Sequence, residues 1–485
     1  MLTYDINNRG ESTIYEYLYG CIKADIMEGR LAANEKLPSK RTLAKNLGVS
    51  VTSIENAYDQ LGLEGFIRAE AGKGFFVNEI GKTEAPEEPE PLHDKSLAEI
   101  EDRHKEFIID FKANRTSIEN FPFTVWAKLV RNLLSDRNEE ILGTIPYNGL
   151  KALRVALAKH LYMYRGMEVD PRQIIIGAGT EYLYSRLLQM FGQNTVIAIE
   201  DPGYKKFSEI SSSQGILWDY IPIDREGMRL DMLQDSLANV IHVSPANHFP
   251  TGTVMPINRR LDLLNWAYQK PDRYIIEDDY DSELRYAGSL IPPMFAMDSR
   301  NKVIYINTFS KSIVPSLRIS YMVLPPYLME LYRDTLSFYS CTVSSFEQMT
   351  LAHFISEGYF DRHINRLKRI YKAKRDEVLN ALMASPLSNI SEIMEANAGT
   401  HFLLHVDTRL SDRSIKKRAS EHHIELAMLS DYMSRPSLKS MGTIILNYAG
   451  LESGAVPLAV NILEDIFRED LELCGVHKTD IQKNN

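Results

Sequence analysis

The sequence predicts a two-domain protein, with a small α+β module at the amino terminus, a linker and a larger α/β domain. The chain has 485 residues, which is more than one hydrophobic core usually serves. Its composition shifts once, at residues 78–107, where proline and glutamate favour an extended spacer. Beyond that stretch, apolar strand-like runs alternate with helical patterns, which is typical of a parallel sheet covered on both faces. We therefore expect a first domain at 1–78, a linker at 79–107 and a second domain at 108–475.

The composition limits the classes of function that the chain can have. Its hydrophobic content of 44% and charged content of 25% are those of ordinary globular proteins. Apolar runs of the roughly 20 residues needed to span a bilayer are missing, and the polar start is unlike a signal peptide, so we expect a cytosolic protein. The net charge of -10 argues against a chain that coats nucleic acid over its whole surface, but it permits a small DNA-binding module. Cys21, Cys341 and Cys474 lie far apart, which suggests neither a disulfide framework nor a metal site.

The amino-terminal module contains start and stop signals for two short helices. Ser39 is suited to cap the first helix, Gly48 permits a tight turn, and Ser50 is suited to cap the second. The second helix has an apolar side formed by Ile54, Ala57, Tyr58 and Leu61. The segment IRAEAGKGFFV then reads as two strands joined by a turn. Together these elements predict a winged helix-turn-helix.

The module also carries residues suited to contact DNA. Small hydrogen-bonding side chains lie on the outward side of the second helix, and cations flank the first helix and the strand turn. The candidates for DNA contact are Lys40, Arg41, Ser50, Thr52, Ser53 and Lys73. Residues 12–77 resemble the GntR family of bacterial transcription factors through the pattern LPSxRxLAxxLGVSxxSxxxAYxxLxxEGF. The family commonly has arginine where this chain has Val51, and the alternative is a small helical domain that binds protein.

The larger domain contains six short motifs in a characteristic order. They are PYNGLKALRVALAKHLYMYRG, IIIGAGTE, EDPGY, NHFPTG, EDDYD and TFSKSIVPSLR. This order resembles that of fold-type I aminotransferases, which depend on pyridoxal 5'-phosphate. The resemblance extends from about Phe111 to Phe467. We therefore expect an aminotransferase-like α/β domain.

The resemblance implies a complete set of cofactor contacts. Lys311 would form a Schiff base with the cofactor aldehyde, the internal aldimine, and Asp278 would keep the pyridine nitrogen protonated. Tyr280 would hydrogen-bond the ring hydroxyl oxygen, and the ring of Tyr204 would stack on the pyridine. The phosphate would be held by a helix start and a cation, with contacts from Gly179, Thr180, Glu181, Thr308, Ser310 and Arg318.

Two departures from the aminotransferase pattern favour regulation over catalysis. Class I enzymes carry NPTG, whose asparagine touches the cofactor hydroxyl, whereas this chain has FPTG at 249–252 with Asn247 just before it. In the strand TIILNYAG, Ile445 stands where transaminases place the arginine that binds the substrate carboxylate. Arg435 in the preceding loop is the candidate for a substitute effector contact. An arginine introduced at 445 is expected to add affinity for ordinary α-amino acids.

A GntR-type module linked to an aminotransferase-like domain resembles the MocR/GabR subfamily of regulators. The resemblance implies a homodimer with head-to-tail packing, in which Tyr147 completes the partner's cofactor site. It also implies that an amine, an amino acid or a B6 vitamer acts at Lys311 and changes the affinity for promoter DNA. We expect sensing with little or no turnover. The alternatives are a true aminotransferase with an appended domain, and a DNA-binding protein whose large domain is an inert dimerisation scaffold.

Overall fold

The chain divides into two compact units, Met1–His104 and Lys105–Asn485. The computed structural model describes eight stretches of the chain, namely 2–81, 107–112, 118–136, 139–286, 291–394, 398–436, 440–452 and 454–475. The predicted linker at 79–107 therefore lies outside the described residues, except for 79–81 and residue 107.

The first unit is the predicted winged helix-turn-helix. Its elements are α1 (Ile14–Met27), α2 (Lys40–Leu47), α3 (Val51–Leu63), β1 (Ile67–Glu70) and β2 (Gly74–Val77). The Ser39 side chain accepts a hydrogen bond from the Thr42 amide, and Ser50 accepts one from the Ser53 amide, so each serine caps the helix that follows it. Gly48 ends α2 in the left-handed conformation at φ 67°. β1 and β2 pair antiparallel as the wing.

The second unit is an α/β domain, as the alternation of apolar and helical patterns predicts. Its first half contains β3 (Ile109–Asp110), α4 (Phe123–Ser135), α5 (Lys151–Arg165), β4 (Ile174–Gly177), α6 (Thr180–Phe191), β5 (Val196–Asp201), α7 (Lys206–Ser213), β6 (Leu217–Asp224), β7 (Gly227–Met228), α8 (Leu230–Asp235), β8 (Val240–Val243), α9 (Ile257–Tyr268) and β9 (Tyr274–Asp278). The second half contains α10 (Met294–Met297), β10 (Val303–Thr308), α11 (Phe309–Ser312), β11 (Ser320–Val323), α12 (Pro326–Leu336), α13 (Ser345–Ser356), α14 (Tyr359–Ala384), β12 (Ser391–Met394), β13 (His401–Val406), α15 (Asp412–Glu421), β14 (Ile424–Glu425), β15 (Ala427–Met428), β16 (Thr443–Asn447), α16 (Ala455–Ile466) and α17 (Arg468–Leu473).

The main sheet has eight strands in the order β4-β11-β10-β9-β8-β5-β6-β7. β10, β9, β8, β5 and β6 run parallel, while β11 pairs antiparallel with both β10 and β4. Strands such as β4, β8 and β10 are buried along their whole length, which explains their continuous apolar runs. Because β4, β5, β8, β9 and β10 point the same way, the residues that follow them meet at one edge of the sheet.

A second, antiparallel sheet in the order β12-β13-β16-β15 covers the carboxyl-terminal part of the domain. Beside it, β3 pairs in parallel with β14, with Ile109 opposite Ile424 and Asp110 opposite Glu425. The amide of Asn447, at the end of β16, donates to the Phe111 carbonyl oxygen at 3.3 Å. The start of the domain is thus held against the end of its last strand.

The described stretches show neither a membrane-spanning helix nor a cluster of metal ligands. None of their helices combines the length and apolar character needed to cross a bilayer. Within the same stretches, His, Cys, Asp and Glu side chains form no cluster of three or more that could hold a metal ion.

Candidate functional site

A cavity of about 310 Å³ opens at the carboxyl edge of the parallel strands. Many of its lining residues are ones that the sequence motifs single out, namely Thr180, Glu181, Tyr204, Asp278, Tyr280, Thr308, Ser310, Lys311 and Arg318. These side chains come from segments that follow four different strands, so the sheet topology brings them together. The remaining lining residues are Lys112, Ile199, Glu200, Gly203, Phe207, His242, Ser244, His248, Phe249, Tyr432 and Asn447.

Lys311 lies on the one-turn helix α11, directly after β10. Burial of its ammonium group lowers the pKa to about 8, while the nearby Asp281 carboxylate acts in the opposite direction. A lysine with such a pKa is partly neutral near physiological pH, whereas an exposed lysine is almost fully protonated. Lys311 is therefore suited to act as a nucleophilic amine.

Asp278 ends β9 and is buried at the cavity wall. Burial and the neighbouring carboxylates of Asp279 and Asp281 raise its pKa to about 8. Among the described residues, its Oδ1 atom has no hydrogen-bond partner. The His242 Nε2 atom lies 3.7 Å from the Asp278 Oδ2 atom, but burial lowers the pKa of His242 to about 3, so this ring is neutral. The carboxyl group thus faces the cavity without a compensating cation, and a protonated pyridine nitrogen fits that need.

The opposite end of the cavity has the features of an anion cradle. Gly179 precedes α6 with φ 101°, and Thr180 and Glu181 form the first turn of that helix, where unpaired backbone N–H groups favour an anion. The Arg318 guanidinium reaches the same place, with its Nη2 atom 3.5 Å from the Glu181 Oε2 atom. Thr308 and Ser310 add hydroxyl groups, and the Thr308 Oγ1 atom donates to the Ser310 Oγ atom at 3.0 Å. This donor set suits a phosphate group.

Asn247 lies behind the cavity wall. Its Nδ2 atom donates to the Asp281 Oδ2 atom at 2.7 Å and lies 3.5 Å from the Tyr280 hydroxyl. It is buried and does not line the cavity, whereas Tyr280 does. Asn247 therefore contacts Tyr280, the residue expected to meet the cofactor's ring hydroxyl, rather than the open cavity.

Three other residues singled out from the sequence lie away from the cavity lining. Tyr147 stacks on Tyr332 with ring centroids 6.3 Å apart. Arg435 is exposed, and the amide of the preceding Ser434 donates to the Asp201 Oδ1 atom at 2.9 Å. Ile445 is only 3% exposed and packs in an apolar cluster with Leu403 and Ala427.

The sequence reasoning missed several residues of the cavity. Glu200 is buried, and its Oε2 atom accepts a hydrogen bond from the Ser244 amide at 3.1 Å and lies 3.6 Å from the His248 Nε2 atom. Burial raises the pKa of Glu200 to about 8 and lowers that of His248 to about 3, so both are neutral at pH 7. Glu200 and His248 belong to the motifs EDPGY and NHFPTG, so a charged or polar residue at a strand end was an available signal. Asn447 carried the same signal, since it ends the strand of TIILNYAG, whereas Lys112 and Tyr432 had none.

In the first unit, the candidate DNA contacts have different surroundings. The Lys40 Nζ atom pairs with Glu55 at 2.8 Å and Asp59 at 3.2 Å, and its side chain is 22% exposed. Arg41 is exposed and, among the described residues, forms no ion pair. Thr52 is exposed near the start of α3, where the Ser50 and Ser53 hydroxyls lie 2.8 Å apart. Lys73 lies in the turn of the wing, 3.3 Å from Glu70.

Comparison with known families assigns both units. Residues 107–424 match the family described as aminotransferase class I and II, and residues 14–77 match the bacterial regulatory proteins of the gntR family. The HTH-type regulator YdeL of Bacillus subtilis is 36% identical over 456 residues, which cover 94% of this chain and 97% of YdeL. The probable rhizopine catabolism regulatory protein MocR of Rhizobium meliloti is 31% identical, with 94% of each chain covered. The chain belongs to the MocR/GabR subfamily of GntR-type transcriptional regulators. A further relative of this MocR/GabR-type regulator is PdxR of Corynebacterium glutamicum, at 29% identity over 86% of this chain and 90% of PdxR.

Solved structures confirm the fold of the regulator's large unit. A kynurenine aminotransferase of Pyrococcus horikoshii has a TM-score of 0.68 at 22% identity, covering 79% of this chain and 96% of the enzyme. An archaeal alanine:glyoxylate aminotransferase also has a TM-score of 0.68, at 24% identity, with 77% and 94% covered. The expected combination of a GntR module with a fold-type I aminotransferase domain is thus confirmed, and this family implies pyridoxal phosphate. Because the relatives named above are regulators over nearly their whole length, the MocR/GabR-type chain is a transcriptional regulator.

Proposed function

We propose that this regulator binds pyridoxal 5'-phosphate at Lys311 and uses the site to sense an amine, an amino acid or a B6 vitamer. The observation that carries the proposal is the unpartnered Oδ1 atom of Asp278, which shares a cavity with Lys311 and with the Arg318 guanidinium. A buried carboxyl group without a partner is costly in a structural scaffold. A protonated pyridine ring would supply the missing partner. This argues against the large domain as an inert scaffold.

Each proposed contact has a separate task. Arg318 and the start of α6 would bind the phosphate, with Thr308 and Ser310 as further donors. Asp278 would hold the proton on the pyridine nitrogen, Tyr280 would donate to the ring hydroxyl oxygen, and Tyr204 would stack on the ring. When bound, the cofactor supplies an aldehyde that reacts reversibly with amines and a ring that accepts electrons. The lowered pKa of Lys311 favours the neutral amine that attachment requires.

Sensing is favoured over sustained transamination by the surroundings of Ile445. A transaminase reuses one carboxylate-binding arginine in both half-reactions, and a buried isoleucine gives no such orientation. A sensor needs only an effector that binds two conformations of the protein with different affinity. The PdxR relative is named a pyridoxine biosynthesis regulator, which supports including the vitamers among the candidate effectors.

Promoter DNA would be bound by the winged helix-turn-helix. In this arrangement α3 would enter the major groove, where Thr52 and Ser53 would reach base edges. Arg41 would contact phosphates, and Ser50 and Lys73 remain candidates for backbone contacts. Lys40 pairs with Glu55 and Asp59 and would mainly stabilise the packing of α2 on α3.

We further propose a head-to-tail homodimer. The large unit exposes large apolar side chains, among them Phe123, Leu134 and Tyr162, and apolar surface of this kind is typical of subunit interfaces. Tyr147 would reach the partner's cofactor. Light scattering of the purified protein should give the mass of a dimer, and a monomeric mass would contradict this part of the proposal.

The cofactor proposal can be tested by borohydride reduction of the purified holoprotein and mass spectrometry of its peptides. Reduction should fix the cofactor on the peptide that contains Lys311. The Lys311→Ala variant should lose the label while keeping its melting transition, and Lys417→Ala should keep the label. Label on a different lysine, or none in the wild type, would overturn the proposal. Adding the correct effector should then change the affinity for promoter DNA, measured by fluorescence anisotropy.

A further inference from the structure

Three residues of the cavity lining, Lys112, Tyr432 and Asn447, are not used by the proposed cofactor contacts. They come from three segments, the stretch after β3, the stretch after β15 and the end of β16. Lys112 and Asn447 are brought together by the backbone, because the Asn447 amide donates to the carbonyl oxygen of Phe111, the residue just before Lys112.

Lys112 is available to an anion in the cavity. Its Nζ atom lies 3.3 Å from the Glu425 Oε1 atom, and its side chain is 56% exposed. An exposed ion pair of this kind contributes little to stability, so a bound anion can compete with Glu425. The pairing of Asp110 with Glu425 between β3 and β14 keeps the lysine backbone in place.

The other ionisable groups of the cavity do not offer a cation here. Lys311 and Arg318 belong to the proposed cofactor contacts, and Glu181 is paired with Lys206 at 2.7 Å beside Arg318. Glu200 and His248 are neutral at pH 7 because burial disfavours their charged forms. Among the cavity-lining residues that the structure describes, Lys112 therefore supplies the positive charge outside the proposed cofactor contacts.

Two of the aromatic residues that line the cavity pack against each other. The rings of Phe249 and Tyr432 pack edge to face, with centroids 5.0 Å apart. Tyr432 also packs against the apolar cluster that contains Ile445. The last strand thus presents the amide side chain of Asn447 to the cavity, two residues beyond Ile445.

We propose that Lys112 and Asn447 bind an anionic group of the effector, so that the effector is an amine that also carries a carboxylate or a similar small anion. This inference rests on the proposed function, because the amine end would act at the cofactor on Lys311. It assigns to a lysine from the start of the domain the task that transaminases give to an arginine of the last strand. The lysine binds as a point charge without the fork geometry of arginine. Effectors that differ in the distance between their amine and their anionic group can therefore bind Lys112.

The test is a spectral titration of the holoprotein with matched pairs of amines. Each pair consists of one amino acid and the amine that has the same carbon chain without the carboxylate. The amino acids are glycine, alanine, β-alanine and a longer ω-amino acid. In the wild type, the carboxylate-bearing member of at least one pair should bind tenfold or more tightly. Lys112→Ala should abolish this preference and leave both the cofactor absorbance and the affinity for the neutral amine unchanged. Lys112→Arg should keep the preference, and Lys417→Ala should behave as the wild type.

The outcomes separate this inference from the proposed function. A wild-type protein without the visible absorbance of an attached cofactor would overturn both. Normal cofactor absorbance combined with equal affinities within every pair would overturn the anion site alone. The same holds if Lys112→Ala retains the preference for the carboxylate. A preference that weakens as salt is raised would support the ionic contact, because an exposed charge pair is screened.

Discussion

Gly179 and Arg318 lie so close together that a side chain at 179 would displace the arginine. A Cβ atom on Gly179 would come within 2.9 Å of the Arg318 Cζ atom. Gly179 also has φ 101°, a conformation that other residues rarely adopt. The glycine thus allows the Arg318 guanidinium to approach the start of α6. The guanidinium and the backbone N–H groups of that helix start together form the anion cradle.

Gly179→Ala is therefore expected to weaken cofactor binding by tenfold or more. Displacing Arg318 would remove a hydrogen bond to a charged phosphate, which is worth about 1.5–3 kcal/mol. The matched control is Gly192→Ala at the other end of the same helix, where φ is 77° and no atom lies within 4 Å of the added Cβ. Both variants carry a backbone cost, but only Gly179→Ala should lose cofactor affinity in a visible-absorbance titration. Equal losses in the two variants would contradict the cradle.

The pH dependence of cofactor attachment should report the pKa of Lys311. Because the amine reacts in its neutral form, the rate of attachment to cofactor-free protein should rise with pH and level off above about 8. Asp281→Asn removes the carboxylate that favours the ammonium form, so the rise should move to lower pH. Stopped-flow absorbance measures these rates, and Asp262→Asn on the exposed side of α9 serves as the control. If the rise in attachment rate moves to higher pH in Asp281→Asn, the Asp281 carboxylate does not favour the ammonium form of Lys311.

Arg41 and Lys40 are adjacent but should behave differently in DNA binding. Arg41→Ala should weaken binding to all sequences and lower the salt slope by about one, because it would lose one phosphate contact. Lys40→Ala should instead lower stability by about 0.2–1 kcal/mol, because Lys40 pairs with Glu55 and Asp59 of α3. Anisotropy at several salt concentrations and thermal melting distinguish the two effects. If Lys40→Ala lowers the salt slope more than Arg41→Ala does, Lys40 rather than Arg41 contacts the phosphates.

Ile445→Arg should cost stability rather than simply add affinity for α-amino acids. The side chain at 445 starts inside the apolar cluster with Leu403 and Ala427, where an unpaired charge typically costs several kcal/mol. Ile445→Leu is the control, since a hydrophobic replacement of equal volume usually costs less than about 1.5 kcal/mol. Urea denaturation measures both variants. If Ile445→Arg keeps the stability of the wild type and gains affinity for α-amino acids, the expectation drawn from the sequence holds instead.

The sequence alone determined the elements and the residues that follow strands in recognisable motifs. Ser39, Gly48 and Ser50 act through hydrogen bonds and backbone conformations within a few residues, so a local pattern predicts them. The resemblance to fold-type I aminotransferases pointed to Lys311 and Asp278, and each lies in or just after a strand whose apolar run is evident. Parallel strands with a common direction then bring such residues to one edge.

Only the tertiary structure decided which distant residues share the cavity and which predicted ones do not. The Asn447 amide donates to the carbonyl oxygen of Phe111, the residue before Lys112, and no periodicity encodes that pairing between segments far apart in the chain. Arg435, the predicted effector contact, is exposed and does not line the cavity, and Ile445 faces an apolar cluster. Lys40 is a cation of the kind that contacts DNA. Its pairing with Glu55 and Asp59 of α3, however, depends on how α2 and α3 pack. Side-chain environment is a property of packing between elements, and it is therefore invisible to patterns read along one element.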